Sequence, residues 1–241
     1  MTFWDHLDEL RKRLLWSIAG VAVAAVGGFF LAGIALEMLM QPFRKHVTGA
    51  LALLAPGDGF VIQIKLALLL GVAISIPFVA FQLYGFIGPG LKPKEKKWLW
   101  PVVFISSVLF WAGVAFAWLL LPAALEFLSS FAQFGVQNMW SLNNYINLVL
   151  FLLLAFGVIF QLPLLIGILI ATGLVPSSFF RRNRRYAIVV IFALSGIATP
   201  TTDALTMTLM AVPLTLLYEL SIWIGIILEK RRQKRKALQT A

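Results

Sequence analysis

Cysteine is absent from this chain of 241 residues, and charged side chains are scarce. Without cysteine the chain can form no disulfide, no thiol nucleophile and no cysteine-ligated metal site. Charged residues account for 12% of the sequence and hydrophobic residues for 61%, whereas average soluble chains carry about 25% charged residues. This composition excludes a soluble domain and indicates an integral membrane protein.

Motifs for catalysis and cofactor binding are also missing. The two histidines, His6 and His46, form no HExxH pair, and the sequence contains no GxSxG elbow, P-loop or GxGxxG fingerprint. We therefore predict no enzyme activity, no catalytic residue, no metal and no cofactor. The net charge of +10 does not indicate a nucleic-acid partner, because aromatic and basic residues are not interleaved as a single-strand groove requires.

The basic residues are concentrated in four short patches. All 20 Lys and Arg residues lie at 11–13, 92–97, 181–185 and 230–236, except Arg44, Lys45 and Lys65. Cytoplasmic loops near helix ends retain Lys and Arg. We therefore expect the four patches on the cytoplasmic side, in contact with anionic membrane lipid, and the three exceptions on the other side.

Long apolar segments separate these patches. We predict an all-α polytopic membrane protein, a single membrane domain over residues 1–241, with six transmembrane helices at about 14–38, 64–87, 98–121, 147–170, 186–199 and 204–228 and a basic cytoplasmic tail at 229–241. An even number of crossings places both termini in the cytoplasm. Helical spacing of apolar residues from Phe3 to Leu14 predicts a short surface helix before the first crossing, and Pro122 is expected to end the third.

The predicted fifth crossing is short. Only residues 186–198 are uniformly apolar, which gives a helix of ~20 Å against the ~30 Å of a typical hydrocarbon layer. Either neighbouring helices shield this helix, or the bilayer thins around it. Pro77, Pro163 and Pro213 predict bends in alternate crossings, which suits a cupped wall, although proline is also commoner in membrane helices generally.

Two polar side chains, Gln161 and Glu219, interrupt the fourth and sixth apolar segments. Helical rise places both ~14 to 15 Å from the basic side, near the bilayer midplane. A charge there costs ~2.5 to 3.5 kcal/mol on insertion scales, so Glu219 is expected to be protonated, hydrogen-bonded or in contact with water. Three roles remain open: an interhelical hydrogen bond to a neighbour such as Gln161, a docking point for another protein's helix, or a position in a substrate path.

Two acids are embedded in the basic patches. Glu9 can pair with Arg13 at i, i+4, and Glu95 is flanked by Lys94 and Lys96, so both fit solvated charge runs. Alternatively, these carboxylates receive an incoming basic ligand through bidentate bonds from guanidinium groups. Spacing alone supports both interpretations.

Five sequence blocks form a specific pattern across nearly the whole chain: HLDELRKRL (6–14), PFVAFQLYGFIGPGLKPKEKK (77–97), FGVIFQLP (156–163), RRYAIVVIFALSGIATP (184–200) and LMAVPLTLLYE (209–219). Together they resemble the TatC family of the twin-arginine protein translocase. The resemblance implies six helices, cytoplasmic termini, a cupped arrangement, and short fifth and sixth helices.

By this resemblance, the chain is the core receptor of a pathway that exports folded proteins across the cytoplasmic (inner) membrane with the proton-motive force. It would bind Arg-Arg signal peptides and form an oligomeric complex with the single-span subunits TatA and TatB. The resemblance assigns signal-peptide binding to Glu9, Leu10, Arg11, Phe86, Pro89, Leu91 and Glu95, partner-helix docking to Gln161, Pro163 and Glu219, and an outer turn to Pro200 and Asp203.

Two positions depart from the family pattern. Position 161 is Glu in some members and Gln here, which favours a hydrogen-bonding role over a titrating one. The outer turn reads TPTTD at 199–203, where many relatives have TPPD, and Asp203 is expected to cap the sixth helix.

The residues alone also allow two other functions. One is a proton-coupled secondary transporter of a small solute, with Glu219 as its proton carrier. The other is a structural scaffold that binds no Arg-Arg signal. Solute flux from this chain alone would indicate the transporter, whereas dependence on TatA and TatB would indicate the translocase.

Overall fold

The computed structural model describes residues 3–47, 49–87, 99–130, 139–173, 175–198 and 204–240, and these residues form eight helices and two short strands. The helices are α1 (Phe3–His46), α2 (Asp58–Ile87), α3 (Leu99–Ser130), α4 (Leu142–Ile159), α5 (Leu162–Thr172), α6 (Ser177–Arg182), α7 (Arg184–Ala198) and α8 (Ala204–Thr240). The strands are β1 (Leu51–Ala52) and β2 (Trp140–Ser141), which pair in parallel. The predicted all-α class is confirmed for these residues.

Five helical stretches in the described residues are long and apolar enough to cross a membrane: Leu7–His46, Asp58–Phe86, Trp100–Ser130, Leu142–Ala171 and Met210–Ile227. The chain is therefore a multi-pass membrane protein. The predicted fifth crossing corresponds to α7, whose 15 residues rise only ~22 Å. That α7 crosses the membrane stays a prediction. The total of six crossings and the cytoplasmic position of both termini stay predictions with it.

Three helices extend beyond the predicted boundaries. The surface helix expected before the first crossing is continuous with it, because α1 runs for 44 residues and its first turns contain no helix breaker. Pro122 does not end the third helix, since α3 continues to Ser130. α8 has 37 residues, because it continues through nearly all of the basic tail. Its membrane-length apolar stretch, Met210–Ile227, has only 18 residues and is the shortest of the five, so the short sixth crossing stays a prediction.

The fourth predicted crossing is interrupted next to Pro163. α4 ends at Ile159, and α5 begins at Leu162 with proline in its first turn. Proline has no N–H to donate to the carbonyl four residues earlier, here that of Ile159. The chain compensates with a tighter bond, from the Gln161 N–H to the Val158 carbonyl at 2.9 Å. The bend predicted at Pro163 is thus a two-residue break.

The described residues fall into two compact units, Met1–Leu154 and Ala155–Ala241. In the first unit, α1 and α2 run antiparallel and approach closely at glycines. A Cβ added to Gly28 would come within 2.8 Å of the Ala67 carbonyl oxygen, and one added to Gly71 would come within 2.8 Å of the Ala25 backbone nitrogen. Small residues at such positions let membrane helices pack through their backbones.

The first unit contains a polar network around Lys65, in the first turns of α2. Its Nζ donates at 2.7 Å to the Oδ1 atoms of Asn143 and Asn147, and the Asn143 amide donates to Asp58 at 3.1 Å. Lys65 lies inside a membrane-length helix, where an unpaired charge would be costly. The network explains how α2 accommodates it.

The second unit is built on α8. Ile170 of α5 fills the space left by the missing side chain of Gly225, and Ile166, Leu214 and Ile222 are buried in the same unit. α6 is attached to α8 at two levels. The Ser177 N–H donates to Glu229 Oε2 at 3.1 Å, and the Tyr218 hydroxyl donates to the Phe180 carbonyl at 2.9 Å.

Candidate functional site

The Glu9 carboxylate forms an ion pair one helical turn along α1. Arg13 donates to Glu9 Oε1 from both Nε, at 3.0 Å, and Nη2, at 2.8 Å. Both side chains are only about one quarter exposed, 26% for Arg13 and 21% for Glu9. The i, i+4 pairing predicted from the sequence is confirmed.

The other carboxylate oxygen of Glu9 is not engaged in this way. Oε2 is buried and has no hydrogen-bond partner among the described residues. Leaving a buried acceptor unsatisfied costs about 1–3 kcal/mol, and more when the group is charged. The carboxylate therefore has capacity for a further donor, and binding that donor would recover part of this cost.

Arg13 is held between α1 and α2. Its guanidinium occupies the space that a side chain at Gly85 would fill, because an added Cβ would overlap Arg13 Nη1. This contact brings the Glu9–Arg13 pair to the end of α2, where Phe86 lies half-buried. Sequence analysis missed Gly85, although a glycine directly before a predicted site residue is a signal for close backbone approach.

The remaining members of the predicted signal-peptide set fall into two groups. Leu10 and Arg11 follow Glu9 on α1, and both are exposed. Three others lie outside the described residues: Pro89, Leu91 and Glu95. The structure thus brings one of the two predicted acids to the end of α2, and the position of the other stays a prediction.

Gln161 and Pro163 lie together at the break between α4 and α5. Gln161 is half-buried, and its Nε2 is 3.4 Å from the Gly157 carbonyl oxygen one turn earlier. Pro163 is buried. At the break, backbone groups near Gln161 lie outside regular helix. In membrane proteins such groups are tolerated where a side chain or another helix forms hydrogen bonds with them.

Glu219 has a partner that the sequence analysis did not identify. Arg184, the first residue of α7, approaches Glu219 Oε2 through Nη2 at 2.8 Å. Helical rise predicts that this acid lies near the bilayer midplane, but its carboxylate lies beside an arginine of the third basic patch, where α7 begins. Glu219 therefore has a polar partner on another helix, as expected, and this partner is the Arg184 cation. The available signal was charge complementarity between the one acid inside the last apolar stretch and the nearest basic patch.

The outer-turn residues Pro200 and Asp203 lie outside the described residues. α8 begins at Ala204, directly after Asp203, so its predicted capping role stays a prediction. No group of three or more His, Asp or Glu side chains within the described ranges could hold a metal ion.

The fold and these sites define a multi-pass helical membrane protein whose candidate functional groups include two carboxylate–arginine pairs, Glu9–Arg13 and Glu219–Arg184. The family model described as "Sec-independent protein translocase protein (TatC)" matches residues 5–213. A TatC of Koribacter versatilis is 34% identical, over 100% of this chain and 91% of its own length. A TatC of Carboxydothermus hydrogenoformans is 32% identical, over 93% of each chain.

Structural comparison agrees with the sequence matches. A crystal structure titled as the twin-arginine translocase receptor TatC superposes with a TM-score of 0.80 at 36% identity, over 92% of this chain and 99% of that one. The chain belongs to the TatC family. It is a membrane component of the twin-arginine translocase, and hence a protein-transport component rather than an enzyme.

Proposed function

We propose that this chain is the receptor subunit of its translocase. It recognises Arg-Arg signal peptides at a cytoplasmic carboxylate surface formed by Glu9 and Glu95, together with Leu10, Arg11, Phe86, Pro89 and Leu91. With TatA and TatB it exports folded proteins across the cytoplasmic membrane, driven by the proton-motive force. Family membership supports the general role, and the finer assignments are ours.

The state of the Glu9 carboxylate is the observation that carries this proposal. Its Oε1 already accepts two bonds from Arg13, whereas its Oε2 is buried and unpartnered among the described residues. A signal-peptide guanidinium can donate a charge-assisted hydrogen bond to Oε2, and such a bond is stronger than one between neutral groups. The surrounding basic patches repel an Arg-Arg segment elsewhere, so these acids confine where it binds.

Charge reversal at the second acid tests the proposal. We expect Glu95→Lys to abolish pull-down of a twin-arginine precursor while the protein remains inserted in the membrane, because a carboxylate becomes a repelling ammonium. Glu9→Gln should weaken capture by about tenfold, the loss of roughly one charge-assisted bond. Asp8→Asn is the matched control, since Asp8 is exposed and adjacent on α1.

Two outcomes would contradict this recognition mechanism. One is undiminished binding in the Glu9→Gln/Glu95→Gln double variant. The other is equal photocrosslinking, from probes placed at positions 9 and 95, to precursors with and without the Arg pair.

We place the docking of TatA and TatB helices near Gln161, Pro163 and Glu219. The break beside Pro163 supports this position, as does Leu165 next to it, whose apolar side chain is 46% exposed. A photocrosslinker at Leu165 should capture TatA or TatB, whereas one at the buried Ile166 should not. Pro200 and Asp203 are assigned to the outer turn, with Asp203 as the cap of α8.

The secondary-transporter alternative is not favoured. Glu219, its candidate proton carrier, is paired with Arg184, and the family is one of protein translocase components. Solute uptake by vesicles that contain this chain alone would restore that alternative.

A further inference from the structure

A basic cavity lies where α6 meets α7 in the second unit. Its volume is about 340 Å³, it is open to the outside, and it is lined by Ser178, Arg181, Arg182 and Arg184. Among the described residues, no carboxylate lines it. Arg184 is fixed in place by Glu219, whereas Arg181 and Arg182 are exposed and have no ion pair within the described ranges.

The chemistry of this lining is suited to a phosphate group. Three arginines line one space, and only Arg184 has a carboxylate partner among the described residues, so Arg181 and Arg182 repel each other there unless an anion binds. Guanidinium forks match the geometry of phosphate oxygens and bind them through paired N–H donors, and the Ser178 hydroxyl adds a further donor. Arg184 also has a buried Nε without a hydrogen-bond partner in the described part of the chain.

The surroundings of the cavity indicate that the phosphate belongs to a lipid. Directly after the arginines, α7 exposes apolar side chains, with Val189 at 66% and Val190 at 54%, and Phe179 of α6 is 54% exposed. These are the surfaces that acyl chains and the interfacial region of a bilayer cover.

Depth within the membrane adds an independent argument. The carboxylate of Glu219 lies at the level of Arg184, yet α8 continues with the exposed apolar residues Trp223, Ile224 and Ile227, and the helix rises ~12 Å between Glu219 and Ile227. The arginines that begin α7 therefore lie deeper than the apolar end of α8. A lipid headgroup drawn toward these arginines neutralises their charge. It also thins the bilayer locally, which accommodates the short α7.

We propose that Ser178, Arg181, Arg182 and Arg184 form a binding site for the phosphate of an anionic membrane lipid, whose acyl chains lie along α7. Arg184 is oriented by Glu219, while Arg181 and Arg182 supply the free charges. This site is separate from the residues proposed to bind signal peptides, and it holds whether or not that proposal does.

Lipid retention by the purified protein tests the site. The full chain in detergent is incubated with equal amounts of phosphatidylglycerol and phosphatidylcholine, and bound lipid is counted by native mass spectrometry. We expect selective retention of phosphatidylglycerol by the unmodified protein, and at least about fivefold less in Arg181→Gln/Arg182→Gln, since each basic residue near a lipid surface contributes to anionic-lipid affinity.

The control removes equal charge from the same unit. Arg185→Gln/Lys230→Gln also loses two cations, but neither residue lines the cavity. Arg185 is already engaged with Tyr186, with its Cζ 4.9 Å from the ring centroid and a hydrogen bond of 3.2 Å to the hydroxyl. This variant should retain phosphatidylglycerol almost as the unmodified protein does. Arg181→Lys/Arg182→Lys keeps the charge and loses the planar forks, so it should show an intermediate loss, and it serves in place of the glutamine variant if that protein does not fold.

Three results would overturn the proposal. Equal loss in both charge-removing variants would indicate a general charge effect, and unchanged retention in both the glutamine and the lysine variants of Arg181 and Arg182 would exclude the site. Displacement of phosphatidylglycerol by excess inorganic phosphate alone would assign the cavity to a free phosphate instead of a lipid.

Discussion

At the scale of single residues, Glu219 and Arg184 form a partly exposed ion pair, with 30% and 43% of their side chains accessible. Exposed pairs contribute about 1 kcal/mol or less, because solvent screens them and holding two long side chains is entropically costly. The carboxylate lies on the last membrane-length helix and the guanidinium on the shortest predicted crossing. The pair therefore joins the start of α7 to the middle of α8.

A double-mutant cycle measures this contribution. We expect Glu219→Gln and Arg184→Gln each to lower the free energy of unfolding in detergent, with a coupling of about 1 kcal/mol between them. The same cycle with Arg185→Gln in place of Arg184→Gln should be additive, because Arg185 is engaged with Tyr186. Additivity in the first cycle would mean that the pair contributes nothing to stability.

At the scale of helices, α1 and α2 are held by backbone proximity rather than by large side chains. Gly28 is buried in this interface, while its neighbour Gly27 has no atom within 4 Å of an added Cβ. Overpacking a close helix contact costs about 1–3 kcal/mol, whereas alanine at an open helical position gains up to about 1 kcal/mol over glycine.

The two adjacent glycines provide a matched comparison. Gly28→Ala should lower the thermal unfolding midpoint in detergent, because the new methyl meets the Ala67 carbonyl oxygen at 2.8 Å and Leu70 Cβ at 2.9 Å. Gly27→Ala should leave the midpoint unchanged or raise it. Equal effects at both positions would show that helix propensity, and not helix packing, determines the response.

Helices and sites were predictable from the sequence to different extents, for physical reasons. The apolar stretches were predictable because a membrane-spanning helix must be hydrophobic over the thickness of the bilayer. The Glu9–Arg13 pair was predictable because both residues lie on one helix, four positions apart. Helix ends were less predictable, since a helix continues past its apolar stretch wherever nothing breaks its hydrogen bonds, as at Pro122 in α3. The Arg184–Glu219 pair depends on the register of two helices, which spacing along one chain does not encode.

At the scale of the whole molecule, charge patches and helix lengths together predict the topology. Positive charge near helix ends orients a membrane protein toward the cytoplasm, so the patches near both ends of the chain predict that both termini lie there. This arrangement requires an even number of crossings, and five stretches within the described residues qualify by length and composition. We therefore predict that α7 supplies the sixth crossing despite its 15 residues.

Single cysteines can test this crossing directly, because the natural chain contains none. We expect a membrane-impermeant maleimide to label Thr201→Cys in right-side-out vesicles, and to label Asn183→Cys only after the membrane is disrupted, since the two positions flank α7. Leu53→Cys should behave like the first and Lys230→Cys like the second, because the charge pattern places them on the outer and cytoplasmic sides. If Thr201→Cys and Asn183→Cys were labelled from the same side, α7 would be a re-entrant or surface helix. Five crossings would then leave the two termini on opposite sides of the membrane.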